Sequence, residues 1–367
     1  MTEYGRNIKI RIYGGSHDPE IGVIAENIPA GISFDADKLQ SFMERRAPGR
    51  NRHSTARREA DIPEFITGVE HNVTTGETLH AIIRSTNMHS SDYSSLANVP
   101  RPSHADYTAR MKFAKNGKVV DLRGGGHYSG RLTAPLCIIG GILLQELKRR
   151  GITVGAHIER IAGISDKRFD PVNITASDIK AIPADFPVID YASGERMREA
   201  IEAARLDCDS VGGVIECAVL GLPVGLGEHM FDGMEGRISQ IVFAVPAVRG
   251  VEFGNGFAAS ELRGSENNDP FAVSESCGGI VTLTNNSGGI QGGMTNGMPL
   301  IFRAAIKPTP SIAKRQQSVN LETMENVPLE IVGRHDPCIV PRAVPVIEAA
   351  AAIALFDAML DAGEIER

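Results

Sequence analysis

The sequence predicts an α+β fold, and three observations carry that prediction. Short runs rich in β-branched residues recur along the chain, helical patterns separate some of them, and several strand-like runs follow one another with no helix between. The last point argues against a doubly wound parallel sheet, which needs a helix after almost every strand. Strand patterns occupy 7–13, 22–26, 80–84, 213–220, 279–283 and 300–306. Helical patterns occupy 36–46 behind the cap candidate Asp35, and 132–150, closed by Gly151. Further helices are expected at 194–206 behind the cap candidate Ser193, at 233–245, and at 348–360, where the alanine run 349–352 is a strong helix former.

With 367 residues the chain is long enough for a sizeable core. No stretch rich in Pro, Gly or Ser divides it, so residues 1–367 read as a single domain. Hydrophobic residues make up 42% and charged residues 23%, and 38 Lys+Arg against 45 Asp+Glu leave a net charge of −7. That balance excludes low-complexity disorder and a global basic field for nucleic acid. The apolar run 134–144 contains a proline and two glycines and is shorter than the roughly 20 residues of a membrane span. The first residues show no basic stretch followed by an apolar one, so a cytoplasmic location is expected. Five cysteines without a C-x-x-C pair point to reduced thiols, with neither a disulfide framework nor a structural metal site. With 39 glycines, 20 prolines and no tryptophan, the composition favours turns and backbone lying close to ligands.

Four constellations carry chemistry. Residues 45–59 hold six arginines around a Pro-Gly turn, and arginine's fixed fork of donors suits phosphate and carboxylate. A solvated basic loop is the alternative, but an acidic chain makes a local anion pocket the better reading. The segment Arg123-Gly124-Gly125-Gly126-His127-Tyr128-Ser129-Gly130-Arg131 opens into a predicted helix, so its backbone N–H groups are ready for an anion. It lacks the Gly-Lys-Ser/Thr of nucleotide-hydrolase phosphate loops. Three polar loops bring histidines: Gly14-Gly15-Ser16-His17-Asp18, Arg101-Pro102-Ser103-His104-Ala105-Asp106-Tyr107 and Gly333-Arg334-His335-Asp336-Pro337-Cys338. Three such loops favour acid/base work over structural histidines, and a metal held by His104, Asp106, His335 and Asp336 is the minor alternative. Finally, the glycine-rich tract 285–294 and the segment Lys307-Pro308-Thr309-Pro310-Ser311 could receive a flat, phosphorylated ligand or simply form a hairpin.

Over nearly the whole chain these motifs resemble those of the chorismate synthase family. The resemblance implies a β-α-β sandwich, a homotetramer, and a 1,4-elimination of phosphate from 5-enolpyruvylshikimate 3-phosphate. It also implies bound reduced FMN that undergoes no net redox change, with NADPH or a separate flavin reductase as the source of reduction. His17 would protonate the departing phosphate, His104 the reduced flavin, and Asp336 would remove the ring proton with the flavin's help. Arg46, Arg52, Ser129, Arg131 and Arg334 match substrate-binding positions. His127, Tyr128, Ser129, Ala247, Gly292, Lys307, Thr309, Ser311 and Arg334 match flavin-binding ones. The family commonly has Gly-Glu-Ser-His-Gly, Arg-Pro-Gly-His, and Gly-Gly-Gly-Arg with a later Glu. This chain has Gly15 and Asp18, Ser103, and His127 and Leu132 at the differing places. A fold-sharing flavin or phospho-ligand binder without turnover is the rival reading; an arginine-rich RNA-binding module is disfavoured by the acidic total.

Overall fold

The computed structural model describes residues 2–49, 60–85, 98–117, 123–274, 278–331 and 336–366. One sheet contains β1 (Lys9–Gly14), β2 (Glu20–Glu26), β3 (Glu64–Thr67) and β4 (Leu79–Arg84) in the order β1-β2-β4-β3. A second contains β5 (Thr153–Ile161), β6 (Ile164–Ser165), β7 (Gly213–Leu220), β8 (Val248–Phe253) and β9 (Leu300–Ile306) in the order β8-β9-β7-β5-β6. Every pairing within the two sheets is antiparallel. The helices that matter here are α1 (Ala36–Arg46), α2 (Asp106–Ala114), α3 (Thr133–Arg149), α4 (Tyr191–Leu206), α5 (Met234–Ala244) and α6 (Val340–Asp361).

Helix α6 packs against β5 and β7 of the five-stranded sheet, and α3 packs on α6 and against β2 and β4 of the four-stranded one. The result is sheet, helices, sheet, an α+β arrangement of the kind the sequence predicted. A helix between two sheets has no solvent side, and α6 is buried around its whole circumference from Val340 to Leu360 with few interruptions. Length and composition alone would let α6 and the stretch Gly130–Arg149 cross a membrane, but 94% and 78% of their most apolar windows lie inside the protein. The two charged groups that α6 buries are both satisfied. Glu348 accepts two hydrogen bonds from Arg45 of α1, at 2.6 and 2.9 Å, and one from the N–H of Ala156 in β5. Asp357 accepts the backbone N–H groups of Arg6, Asn7 and Ile8, pinning the start of the chain to the end of it.

The sequence boundaries hold for α1, where Asp35 accepts from the N–H groups of Asp37 and Lys38, and for β7 and β9. They fail in three instructive places. Helix α6 begins at Val340, eight residues before the expected 348. Pro341 falls in the first turn, where its missing N–H costs nothing, and burial on all sides offsets the bond lost at Pro345. Helix α4 is capped by Asp190, whose carboxylate accepts from the N–H of Ser193, so Ser193 is a first-turn residue and not the cap. Strand β5 was not anticipated at all. Its inner face contributes Ala156 and Ile158 to the main core, but its outer face buries His157 and Glu159, which disguises the hydrophobic alternation.

His157 is wholly buried, 3.0 Å from Glu216 of β7 and 3.3 Å from Asp166. Burial works against its charge, but hydrogen bonds and charges from Asp166 and Glu216 outweigh it and hold its pKa above the ordinary value. A raised folded-state pKa gives stability that is fully present below about pH 6.5 and lost as pH rises through the folded value. Wild type and His157→Gln, compared by urea unfolding across pH 5–9, should therefore converge towards the alkaline end; a constant gap would refute the charged role.

A second expectation concerns the α3–α6 crossing. A Cβ at Gly140 would lie 2.3 Å from Cβ and 2.5 Å from Cα of Ala349, so the helices touch backbone to backbone there. Gly140→Ala should cost about 1–3 kcal/mol in denaturant unfolding, the usual range for overpacking. Gly264→Ala, where a Cβ meets nothing within 4 Å, should change little.

Candidate active site

A cavity of about 580 Å³ opens where the end of α1, the start of α6, the end of α5 and the segments 101–105, 127–133 and 307–311 converge. Among the described residues, six lining side chains are arginine or lysine, Arg46, Arg101, Arg131, Arg249, Lys307 and Arg342, against one lining carboxylate, Asp336. Concentrating that charge costs energy unless counter-ions are built in. Asp61, buried beneath the wall, pairs with both Arg46 and Arg131. Arg46 is the last residue of α1 and also donates to Thr133 Oγ1 at 3.2 Å. Its neighbour Arg45 turns the other way, into the core at Glu348, so adjacent arginines of one motif split between site and scaffold. Arg342, one turn into α6, pairs with Asp336 and donates to the carbonyl of Arg46 at 3.0 Å.

The 101–106 motif closes on itself. Asp106 accepts from Arg101 Nε at 2.7 Å and Nη2 at 2.7 Å, and lies 2.5 Å from Nδ1 of His104. A carboxylate can only accept at that distance, so Nδ1 carries the proton and Arg101 spends its Nη2 donor on Asp106. Nε2 of His104 is left facing the Gly125 backbone; a Cβ at that glycine would sit 3.5 Å from it. Burial tends to raise the Asp106 pKa, but hydrogen bonds from Arg101 and His104 override it and hold the carboxyl well below the usual carboxylate range. Asp106 is therefore a permanent anion behind a histidine at the cavity wall.

The glycine tract differs from the expected bare loop before a helix: 123–128 and 130–132 are themselves 3₁₀ turns, and α3 starts only at Thr133. Gly125 has φ 106°, a conformation other residues avoid. Two hydrogen bonds dock the His17 loop on this tract, Ser16 N–H to Gly126 O at 3.1 Å and His127 Nδ1 to Gly14 O at 2.7 Å. His127 thus carries its proton on Nδ1 and fastens two loops at the cavity edge. His17 itself is half-buried, 3.0 Å from Ser16 Oγ, and does not line the cavity.

Of the residues expected from the sequence, the structure brings His104 and Asp336 together with Arg46, Ser129 and Arg131. His127, Tyr128, Ala247, Lys307, Thr309 and Ser311 line the same cavity. Gly292 does not. It occupies the turn between paired residues Ile290–Gln291 and Met294–Thr295, where its φ of 63° lies in the left-handed region that favours glycine. Arg52 and Arg334 lie outside the described residues. The sequence reading missed Asp61, Arg249 and Arg342; no motif marks them, since each is recruited by a neighbour distant in the chain.

Three comparisons bear on this geometry. A family model described as chorismate synthase matches residues 8–360. A chorismate synthase of Dehalococcoides mccartyi is 44% identical over 99% of this chain and 98% of its own length. One of Lancefieldella parvula is 42% identical, covering 98% of this chain and 96% of its own. A crystal structure of chorismate synthase superposes with a TM-score of 0.74 at 26% identity, over 98% of this chain and 93% of that one. Fold, motif positions and full-length similarity agree, and the chain belongs to the chorismate synthase family.

Proposed function

We propose that the cavity is the site at which 5-enolpyruvylshikimate 3-phosphate loses phosphate and a ring proton to become chorismate, making the protein a carbon–oxygen lyase. The observation that carries this is the lining itself: among the described residues, six cations around a single carboxylate suit a substrate that bears one phosphate and two carboxylates. Arg46 and Arg131, held rigid by Asp61, and Arg342 would bind and orient the anion. Rigid donors lose little freedom on binding, so more of their attraction reaches the transition state.

The donor set also fits flavin mononucleotide. Thr309 Oγ1 is buried without a hydrogen-bond partner among the described residues, and Lys307 stands close by in the same segment. Reduced flavin, when bound, supplies the electron-rich ring the elimination needs without net redox change. His104, locked by Asp106 with its proton on Nδ1, presents Nε2 as the atom that holds or delivers a proton at the wall. Asp336, paired with Arg342 at the cavity wall, would accept the ring proton. His17 sits on the loop docked to the glycine tract and not in the cavity wall, so a role for it at the departing phosphate rests on the family resemblance alone.

An anaerobic assay with reduced FMN and the enolpyruvyl phosphate should show phosphate and chorismate appearing together; flavin binding without turnover would overturn the assignment. In the same assay His104→Ala should lower kcat by about 10² to 10⁴, the range for losing a general acid. Asp106→Asn should lower kcat more than it alters KM. If Asp106 acts through His104, the double variant should be no slower than His104→Ala alone, whereas multiplied losses would make Asp106 merely structural.

A further inference from the structure

Four of the six cavity cations have a built-in counter-ion: Arg46 and Arg131 share Asp61, Arg101 has Asp106, and Arg342 has Asp336. The other two, Lys307 and Arg249, have no carboxylate partner among the described residues. Strand register sets them side by side. Strand β8 pairs with β9 through Val248↔Ile306 and then Gly250↔Ala305, so Arg249 is the extra residue of a bulge. Lys307 follows Ile306 directly, and its N–H donates to Ala247 O at 2.9 Å, on the other flank of that bulge. The two charges feel each other. Burial first, and then the positive charge of Arg249, hold the Lys307 pKa below the usual lysine value.

Like charges gathered at a half-buried wall with no acid between them leave room for an anion. Lys307 gives one donor to the carbonyl of Ser103, so two of its three remain. Thr309 Oγ1 adds a buried hydroxyl that has no partner among the described residues. We propose that Arg249, with Lys307 and Thr309, forms a seat for a phosphate monoester dianion, and that Arg249 is a ligand-binding residue of this enzyme. The proposal rests on the cavity being the flavin and substrate site described above. Two ligands of that site carry such a group, flavin mononucleotide and the enolpyruvyl phosphate.

The test compares ligands that differ by the phosphate. Oxidised FMN and riboflavin are titrated by fluorescence, and the substrate by calorimetry, into wild type, Arg249→Gln and Arg249→Lys. Arg249 is exposed, so these changes leave packing intact; thermal unfolding verifies it. Arg249→Gln should weaken FMN about 10- to 100-fold, the usual worth of one charge-assisted hydrogen bond. Riboflavin affinity should stay unchanged, and Arg249→Lys should recover part of the loss. The same loss confined to the substrate titration would support the seat and assign it to the substrate's phosphate. Equal losses for FMN and riboflavin, or no loss for any ligand, would overturn the role of Arg249 while leaving the site reading intact. Wild type that binds neither flavin nor substrate would instead overturn the site reading, and the proposal with it.

Discussion

Burial of α6 on every side is the constraint from which the rest of the architecture follows. A 22-residue helix enclosed between two sheets must be apolar around its circumference, and where another helix crosses it, both must be small. Ala349 against Gly140 meets that second demand. The few polar groups the helix carries inward must find complete partners, and they do: Glu348 holds α1 through Arg45, and Asp357 holds the first strand region through three backbone N–H groups. Because α1 is fixed by Arg45, its next residue, Arg46, reaches the cavity wall in a defined orientation. The start of α6 then brings Arg342 to the same wall.

The site inherits this rigidity in its electrostatics. Asp61 and Asp106 neutralise wall arginines from behind the lining, and a carboxylate placed there fixes each guanidinium without competing for an incoming anion. The cost of burying such pairs is met by several hydrogen bonds at each, as when Asp106 receives Arg101 through both side chain and backbone. Lys307 and Arg249 stand outside this scheme, with no carboxylate partner among the described residues.

The departures from the common family pattern have individual physical explanations. Ser103, where the family has glycine, adopts φ 58°, the left-handed region that glycine enters freely; its carbonyl there receives the Lys307 ammonium. His127 replaces an arginine but spends Nδ1 on the Gly14 carbonyl, so it joins two loops as well as facing the cavity. Leu132 replaces a glutamate and is buried in the main hydrophobic core. Ser103 and His127 line the cavity while Leu132 does not, and His104 and Asp336 keep their places in its wall.

Local chemistry made much of this legible in advance. Asp35 caps α1 through its own next turn, and β7 and β9 are short apolar runs buried along most of their length, because caps and such runs are written in adjacent residues. The motifs around His104 and Lys307 identified wall residues for the same reason: chemistry carried by consecutive residues survives reading in one dimension. What the sequence could not display was decided by contacts between distant segments. Helix α6 runs through Pro341 and Pro345 because its burial outweighs them, and β5 hid behind ionic partners on two other segments. Gly292 had the composition of a ligand loop but is consumed by a turn. Asp61, Arg249 and Arg342 belong to no motif, and only folding reveals which charges are already neutralised: Arg46 and Arg131 meet at Asp61, 15 and 70 residues away along the chain, while Arg101 and Arg342 have theirs five and six residues away.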